Sequence, residues 1–311
     1  MAIGFGAVSL FSINATETLR YSLESYGAAR AGLPYVLYQL ENDKSPKYDG
    51  SADGWSDNES LFRDHPLQGG VFSVYHEVLN EYSGQTERKY GILDEESKLN
   101  VNRAKTDILK NLLVLAAGLK EEDAAVLANR ITDWRDDDTE PTLPGGAEKY
   151  DYLSMRGAYE PKDGDLQSIE ELLLVKGMTP EIFSSIRPYV TVYGDGTVNV
   201  NTAGSKVLLS LGLSEAAVNG VRLFRLGGDG EAGTQDDGIV TSKSAISGEL
   251  GTYIPMEDMN RLNELLQGDL LGVSSSTFSF TSEGRLEHEA APVIIDCVLE
   301  RTGEIVSWSQ R

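Results

Sequence analysis

The sequence predicts an α+β protein in which antiparallel strands are interrupted by a large helical insertion. Alternating apolar patterns occur before Leu99 and again after Phe278, and the span between them is leucine-rich at helical spacing. A second observation is a motif that occurs twice. Leu99-Asn100-Val101-Asn102 precedes Arg103-Ala104, Val198-Asn199-Val200-Asn201 precedes Thr202-Ala203, and each opens onto a helical pattern, so the insertion reads as a duplicated unit. The third is size: 311 residues, 40% of them hydrophobic, are enough for two or three units with real cores.

The first element is a long helix. Leu19, Leu23, Tyr26, Leu33, Leu37 and Leu40 fall on one stripe at three-to-four spacing, interrupted by Arg30, and Pro34 is expected to kink or loosen it. The N-terminal part of that stripe, Leu19, Leu23 and Tyr26, is the candidate for packing on other subunits. Upstream, Met1 to Ile13 is apolar but has neither the basic region nor the cleavage site of a signal peptide. It is shorter than the roughly 20 residues a bilayer requires, so it reads as the tail of a longer apolar segment.

Asn42 to Gly70 is rich in Asp, Ser, Gly, Asn and Pro and reads as a loop. Val71 to Val78 alternates, with Phe72, Val74, His76 and Val78 on one face, and Lys89 to Asp94 is its expected antiparallel partner. The insertion then begins. Ile108 to Leu119 is a helix stopped at Gly118, Glu121 to Trp134 is a second, and Ser168 to Pro188 reads as a helix-hairpin-helix with Thr179 as cap and Pro180 at the first helical position. After the second Asn-x-Asn, Val207 to Leu213 and Ser214 to Leu226 repeat the pattern. Gly118-Leu119 corresponds to Gly212-Leu213, Ala124-Ala125-Val126 to Ala216-Ala217-Val218, and Asp136-Asp137-Asp138 to Gly228-Asp229-Gly230. Asn102 and Asn201 are expected to end a strand and cap a helix, although Lys105 and Gly204 stand where a capping-box Glu would be. The chain closes with strands at Thr277–Phe280, Val293–Arg301 and Glu304–Trp308, and with a turn expected at Ser282-Glu283-Gly284-Arg285.

Charge and residue chemistry narrow the function. With 27 Lys and Arg against 49 Asp and Glu, a net charge of −22 repels phosphate backbones and anionic lipid, so nucleic acid is not expected as a partner and a divalent cation is. The helix-hairpin-helix turn at Lys176-Gly177 is flanked by Glu170, Glu171 and Glu181, which favours a purely structural pair over a phosphate site. His65, His76 and His288 lie in no nucleophile, zinc or triad pattern, so an enzyme is not expected. The single cysteine, Cys297, shares a strand face with Val293, Ile295 and Leu299 and allows no internal disulfide.

The sharpest candidate site is the glycine-punctuated loop from Gly228 to Gly238. Ca²⁺ takes six to eight oxygen ligands on a flexible backbone, and Asp229, Glu231, Thr234, Asp236 and Asp237 can supply them, at a spacing that is not an EF-hand. Asp136, Asp137, Asp138 and Glu148 form a weaker second candidate.

Five stretches carry a family resemblance: Asp94 to Asn102, Ile131 to Asp136, Gly146-Ala147-Glu148, Ile169 to Thr179, and Val198 to Ala203. In this order they resemble the K-type minor pseudopilin of type II secretion systems, general secretion pathway protein K, from about Gly70 to the C-terminus. The resemblance implies a pilin-like N-terminal helix and antiparallel sheet carrying a helical insert of SAM-like repeats. The expected divisions are 1–98 for the helix and first strands, 99–197 and 198–270 for the two helical units, and 271–311 for the closing strands. It implies a subunit at the periplasmic pseudopilus tip, initiating assembly with I-type and J-type minor pseudopilins for export across the outer membrane of a Gram-negative bacterium. The insert would be too bulky for a further subunit to follow it. Ca²⁺ in the helical region is implied as well, as is an inner-membrane stage through an apolar N-terminal helix whose leader and full span are not visible here. The competing reading is a stand-alone calcium-binding extracytoplasmic module.

Overall fold

The computed structural model describes residues 2–311 except 81–82, 156, 232–233, 235 and 287–290, with side chains from residue 16 onward. His288, and part of the loop between Gly228 and Gly238, therefore lie outside the described residues. In chain order the elements begin α1 (Ala2–Glu41), α2 (Glu59–Phe62), β1 (His65–Leu67), β2 (Gly70–Leu79), β3 (Thr86–Lys89) and β4 (Leu93–Asp94). They continue with β5 (Leu99–Asn100), α3 (Thr106–Ala117), α4 (Glu121–Arg135), α5 (Lys149–Leu153), α6 (Pro180–Ile186), β6 (Val190–Thr191) and β7 (Val198–Asn199). The last are α7 (Ser205–Ser210), α8 (Glu215–Arg225), α9 (Ile246–Leu250), α10 (Met259–Gln267), β8 (Leu271–Gly272), β9 (Thr277–Leu286), β10 (Val293–Glu300) and β11 (Ile305–Gln310). The fold is thus α+β, with a long N-terminal helix, an antiparallel sheet and a helical insert.

The chain divides into a sheet unit (residues 1–46, 53–93 and 276–311) and a helical unit (residues 47–52 and 94–275). The seams lie a few residues from the expected 98/99 and 270/271. Polar bonding explains the first shift: Asp94 accepts from Thr202 Oγ1 at 2.5 Å and Asn199 Nδ2 at 3.0 Å, and Glu95 Oε2 from Thr191 Oγ1 at 2.5 Å, all inside the helical unit. The stretch expected as a plain loop also contributes. Asp49 donates its N–H to Val273 O at 2.8 Å and accepts from Ser275 N at 2.7 Å, which ties residues 47–52 into the helical unit.

In the sheet unit the strand order is β1-β2-β9-β10-β11, all antiparallel, with β3 added to β2. Two strand assignments differ from the sequence reading. The hairpin partner of β2 is Thr86–Lys89, not Lys89–Asp94, with His76 opposite Lys89 and Leu79 opposite Thr86. Backbone bonds at the ends of the connection hold that register, with Asn80 N–H donating to Gln85 O and Gly84 N–H to Asn80 O. The expected turn at Ser282–Arg285 is instead the continuing β9 strand, where Ser282 pairs with Val74 and Gly284 with Phe72.

Gly284 stays in the strand because a helix lies on it. A Cβ there would come within 2.2 Å of Ala29 N and 2.3 Å of Ser25 O, and one at Gly32 would come within 2.1 Å of Ser282 Oγ. Ser282 Oγ donates to Ala29 O at 2.6 Å. This close approach selects small side chains at Ser25, Ala28, Ala29 and Gly32, after which the buried face of α1 continues through Val36 and Leu40. The leucine stripe is therefore not the main packing face. Leu33 and Leu37 are half-buried beside the core of Val36, Leu40, Trp55, Phe62, Phe72, Val74, Phe278 and Leu299, and Tyr26 packs on Ala29, Val293 and Ile295. Leu19 and Leu23 are each 61% exposed. The helix is continuous through Pro34.

The helical unit contains two copies of one arrangement. In the first, β5 pairs in parallel with β6 (Leu99 opposite Val190); in the second, β7 pairs in parallel with β8 (Val198 opposite Leu271). Each is extended by one backbone bond, Val101 N–H to Thr191 O at 2.8 Å and Val200 N–H to Gly272 O at 2.9 Å. Two helices follow in each copy, separated by a left-handed glycine, Gly118 at φ 65° and Gly212 at φ 89°. The second copy is shorter, since α7 and α8 lose turns relative to α3 and α4. The helix caps place Ala124 opposite Val218, because Ala124 N–H bonds Lys120 O as Val218 N–H bonds Ser214 O; the sequence pairing of Ala124 with Ala216 is off by two. The first arm of the expected helix-hairpin-helix is a 3₁₀ helix, Ile169–Leu174.

The asparagines do not cap the helices that follow them. The N-cap residues are Lys105 and Gly204, and neither cap has a side-chain bond. Asn102 Nδ2 donates to Leu166 O at 2.9 Å while its Oδ1 accepts from Leu166 N at 2.8 Å; Asn201 makes the same reciprocal pair with Val240, at 3.0 and 2.9 Å. Each second asparagine thus mimics a backbone edge and stitches a distant segment to the junction.

Candidate functional site

The acidic loop of each copy starts where its second helix ends, and one fixture holds both helix ends. Arg135 donates to the carbonyls of Val101 and Ala104, the latter at 2.6 Å. Arg225 donates to those of Val200 and Ala203, the latter at 2.7 Å. Burial holds both guanidiniums below their ordinary range, Arg225 down to about 10. The two loops then diverge.

In the first copy, ligand oxygens of Asp136, Asp138 and Glu148 lie within 4.8 Å of one another, the group of this kind found among the described residues. Asp136 is the residue that ends α4, with extended backbone (φ −80°, ψ 168°). Glu148 stands immediately before α5, and only 7% of it is exposed. Asp133, fully buried one turn back on α4, brings it there: its two carboxylate oxygens accept from Thr142 N at 3.0 Å and Ala147 N at 2.7 Å. A Cβ at Gly146 would lie 2.1 Å from Asp133 Oδ2, so only glycine allows that approach. The Trp134, Tyr152 and Tyr159 rings pack together beside these residues in sequence, with centroids of the first two 5.2 Å apart.

Electrostatics and unmet bonding both ask for a cation here. Burial, then the charges of Asp133, Asp136, Asp138 and Asp163, push the Glu148 carboxyl up to about 7, and burial followed by Asp138 and Asp133 raises Asp136. Glu148 Oε1 and Asp136 Oδ1 are buried without a hydrogen-bond partner among the described residues. A buried carboxylate oxygen left without a donor costs on the order of 1–3 kcal/mol, and a hard divalent cation is the group that oxygen donors of this kind fit. The residues present therefore suit Ca²⁺, with Asp133 as the outer residue that orients the ligand segment.

The loop ranked first from sequence is built differently. Asp236 Oδ2 accepts from the N–H groups of Gly228 at 2.7 Å and Asp229 at 3.1 Å, and Asp236 Oδ1 from Thr234 Oγ1 at 2.8 Å. These donors, the Thr234 hydroxyl first, hold Asp236 down at about 2. Asp229 Oδ1 accepts from Glu231 N at 2.9 Å, and Thr234 Oγ1 lies 3.2 Å from Asp237 Oδ1. Of the sequence candidates, then, the structure gathers Asp136, Asp138 and Glu148 as mutually close carboxylates, while Asp229, Asp236 and Asp237 are engaged by the loop's own donors. Asp137 is exposed. Sequence reasoning overlooked Asp133 and Arg135, although both lie in the Ile131–Asp136 stretch.

Comparison with known proteins bears on the same region. Residues 87–195 match the family model for protein K of the type II secretion system. Over 134 residues the chain is 31% identical to type II secretion system protein K of Pseudomonas aeruginosa, covering 40% of each protein. Over 99 residues it is 36% identical to that of Klebsiella pneumoniae, covering 31% of this chain and 28% of the other. The matches thus span less than half of these relatives' length. In fold, the chain is similar to a chain of the crystal structure of the GspK-GspI-GspJ complex from enterotoxigenic Escherichia coli, with TM-score 0.68 and 16% identity, over 97% of this chain and 99% of that one. At that identity the likeness is one of fold.

Proposed function

We propose that the chain works as a minor pseudopilin at the tip of a type II secretion pseudopilus, starting its assembly with I-type and J-type partners, and that its first helical copy binds Ca²⁺. The observation that carries the assembly role is α1, whose buried face runs through Ser25, Ala28, Ala29, Gly32, Val36 and Leu40 while Leu19 and Leu23 are left uncovered, flanked by the exposed Arg20–Glu24 pair. Two exposed leucines one turn apart on the same helix stripe form an apolar strip that a partner helix would cover. The match of residues 87–195 to the protein K family model and the shared fold support the same reading. In it, the subunit belongs to the envelope of a Gram-negative bacterium and reaches the periplasm by way of the inner membrane; among the described residues no helix is long and apolar enough to cross a membrane.

The test is co-purification. A Leu19→Asp, Leu23→Asp variant should lose its complex with the I-type and J-type subunits. Because both side chains are exposed, its own stability should change by no more than about 0.5 kcal/mol. A complex that survives the double substitution rejects the interface. The Ca²⁺ role has its own test in thermal unfolding with and without chelator, described below.

A further inference from the structure

We propose that Arg135 is a positioning residue for the cation site: its clasp on the β5–α3 junction fixes the direction in which Asp136 leaves α4. The proposal rests on reading Asp136, Asp138 and Glu148 as cation ligands, and it concerns a residue that touches no ligand itself. Arg135 donates to Val101 O and Ala104 O, carbonyls three residues apart on the turn after Asn100. A planar fork meets the two acceptors from separate nitrogens in one fixed geometry, which an ammonium on a flexible stem does not reproduce. The last turn of α4 is thereby pinned at both sides. Asp133 holds the Thr142 and Ala147 amides, Thr132 Oγ1 meets Thr106 Oγ1 at 2.9 Å, and Asp136 follows the clasp directly.

The second copy supplies the control that sharpens this. Arg225 makes the same clasp, but the residue after it is Leu226, whose backbone is still helical (φ −81°, ψ −2°), and Gly227 then turns at φ 60°. The clasp in the second copy therefore ends a helix without aiming a carboxylate. In the first copy it does both.

Positioning and plain electrostatics predict opposite outcomes. A fixed positive charge next to a cation site opposes binding, so an electrostatic role makes R135K neutral and R135M a tighter binder. A positioning role weakens both, because both lose the fork. The experiment titrates the full chain with Tb³⁺, a luminescent stand-in for Ca²⁺, with indole excitation. Folding of each variant is checked by near-UV circular dichroism; if R135M does not fold, R135K carries the test. The expected result is a Kd raised about 10-fold or more in R135K and R135M, in line with the loss of outer groups that orient metal ligands. R225K, which loses the matching clasp, should bind with wild-type Kd. Wild-type affinity in R135K, or tighter binding in R135M, overturns the proposal while leaving the site intact. A wild-type chain that binds no Tb³⁺ overturns the cation site and the proposal with it.

Discussion

The two copies in the helical unit share a scaffold and differ in what they do with their acids. Both have an Asn-x-Asn junction, a parallel two-strand pairing, a left-handed glycine between helices and an arginine clasp. In the first, Asp133 spends its oxygens on backbone amides and so delivers Glu148 to Asp136 with its own Oε1 unmet. In the second, amides and a threonine satisfy Asp236 locally. An acidic loop can thus be satisfied by its own donors or be left with unmet carboxylate oxygens, and composition alone does not tell which.

The largest expected effect tests the shared scaffold. Asn199 Nδ2 lies within bonding distance of Asp49 O, Asp94 Oδ2 and Ser275 Oγ, all buried, whereas Asn100 Nδ2 serves Tyr193 O and Gly194 O nearer the surface. Burial already raises the Asp94 carboxyl, and the Thr202, Ser275 and Asn199 side chains counter it. Asn199→Ala should therefore cost about 3 kcal/mol or more, and Asn100→Ala clearly less, in denaturant unfolding. Equal losses would mean that the two junctions are energetically alike.

The next effect tests the difference. Ca²⁺ at 100 times its Kd should stabilise the chain by about 2.7 kcal/mol, read as a melting shift that chelator removes. Glu148→Gln should abolish the shift, and an Asp236→Ala, Asp237→Ala variant should keep it. The reverse pattern would restore the second loop as the ion site.

The smallest effect is a pH profile without metal, in which the two acids run in opposite directions. Glu148, held near 7 when folded against an ordinary value of 4.5, contributes stability that is full below about 4.5 and lost as pH rises through 7. Asp236, held near 2, contributes above the ordinary carboxylate range and loses its contribution as pH falls toward 2. Glu148→Gln should flatten the neutral limb of the unfolding curve and leave the acid limb unchanged.

These contrasts also show what was legible beforehand. The strand-flanked insertion, the doubled motif and the glycine stops at 118 and 212 follow from local pattern, and the structure has them. The role of the asparagines did not follow, because their acceptors at Leu166, Tyr193 and Val240 are distant in sequence and are backbone groups with no signature. The α1 packing face was missed for a different reason: hydrophobic periodicity ranks leucines, whereas the glycines at 32 and 284 let helix and sheet approach until only small side chains fit between Ser25 and Gly32. The ranking of the acidic loops turned on Asp133, whose bonds to Thr142 and Ala147 bring Glu148 in across a proline- and glycine-rich turn.

One further consequence concerns residues 47–52. Because Asp49 is bonded to Val273, Ser275 and Asn199, the polypeptide enters the helical unit after Pro46, leaves after Ala52, enters again after Leu93 and leaves after Ser275. The insertion is therefore not a cassette that could be cut out or moved at a single pair of joints. A fragment spanning 94–275 would open a vacancy at Asn199 where the Asp49 carbonyl sits, and a transplanted insert would have to carry its short upstream strap with it.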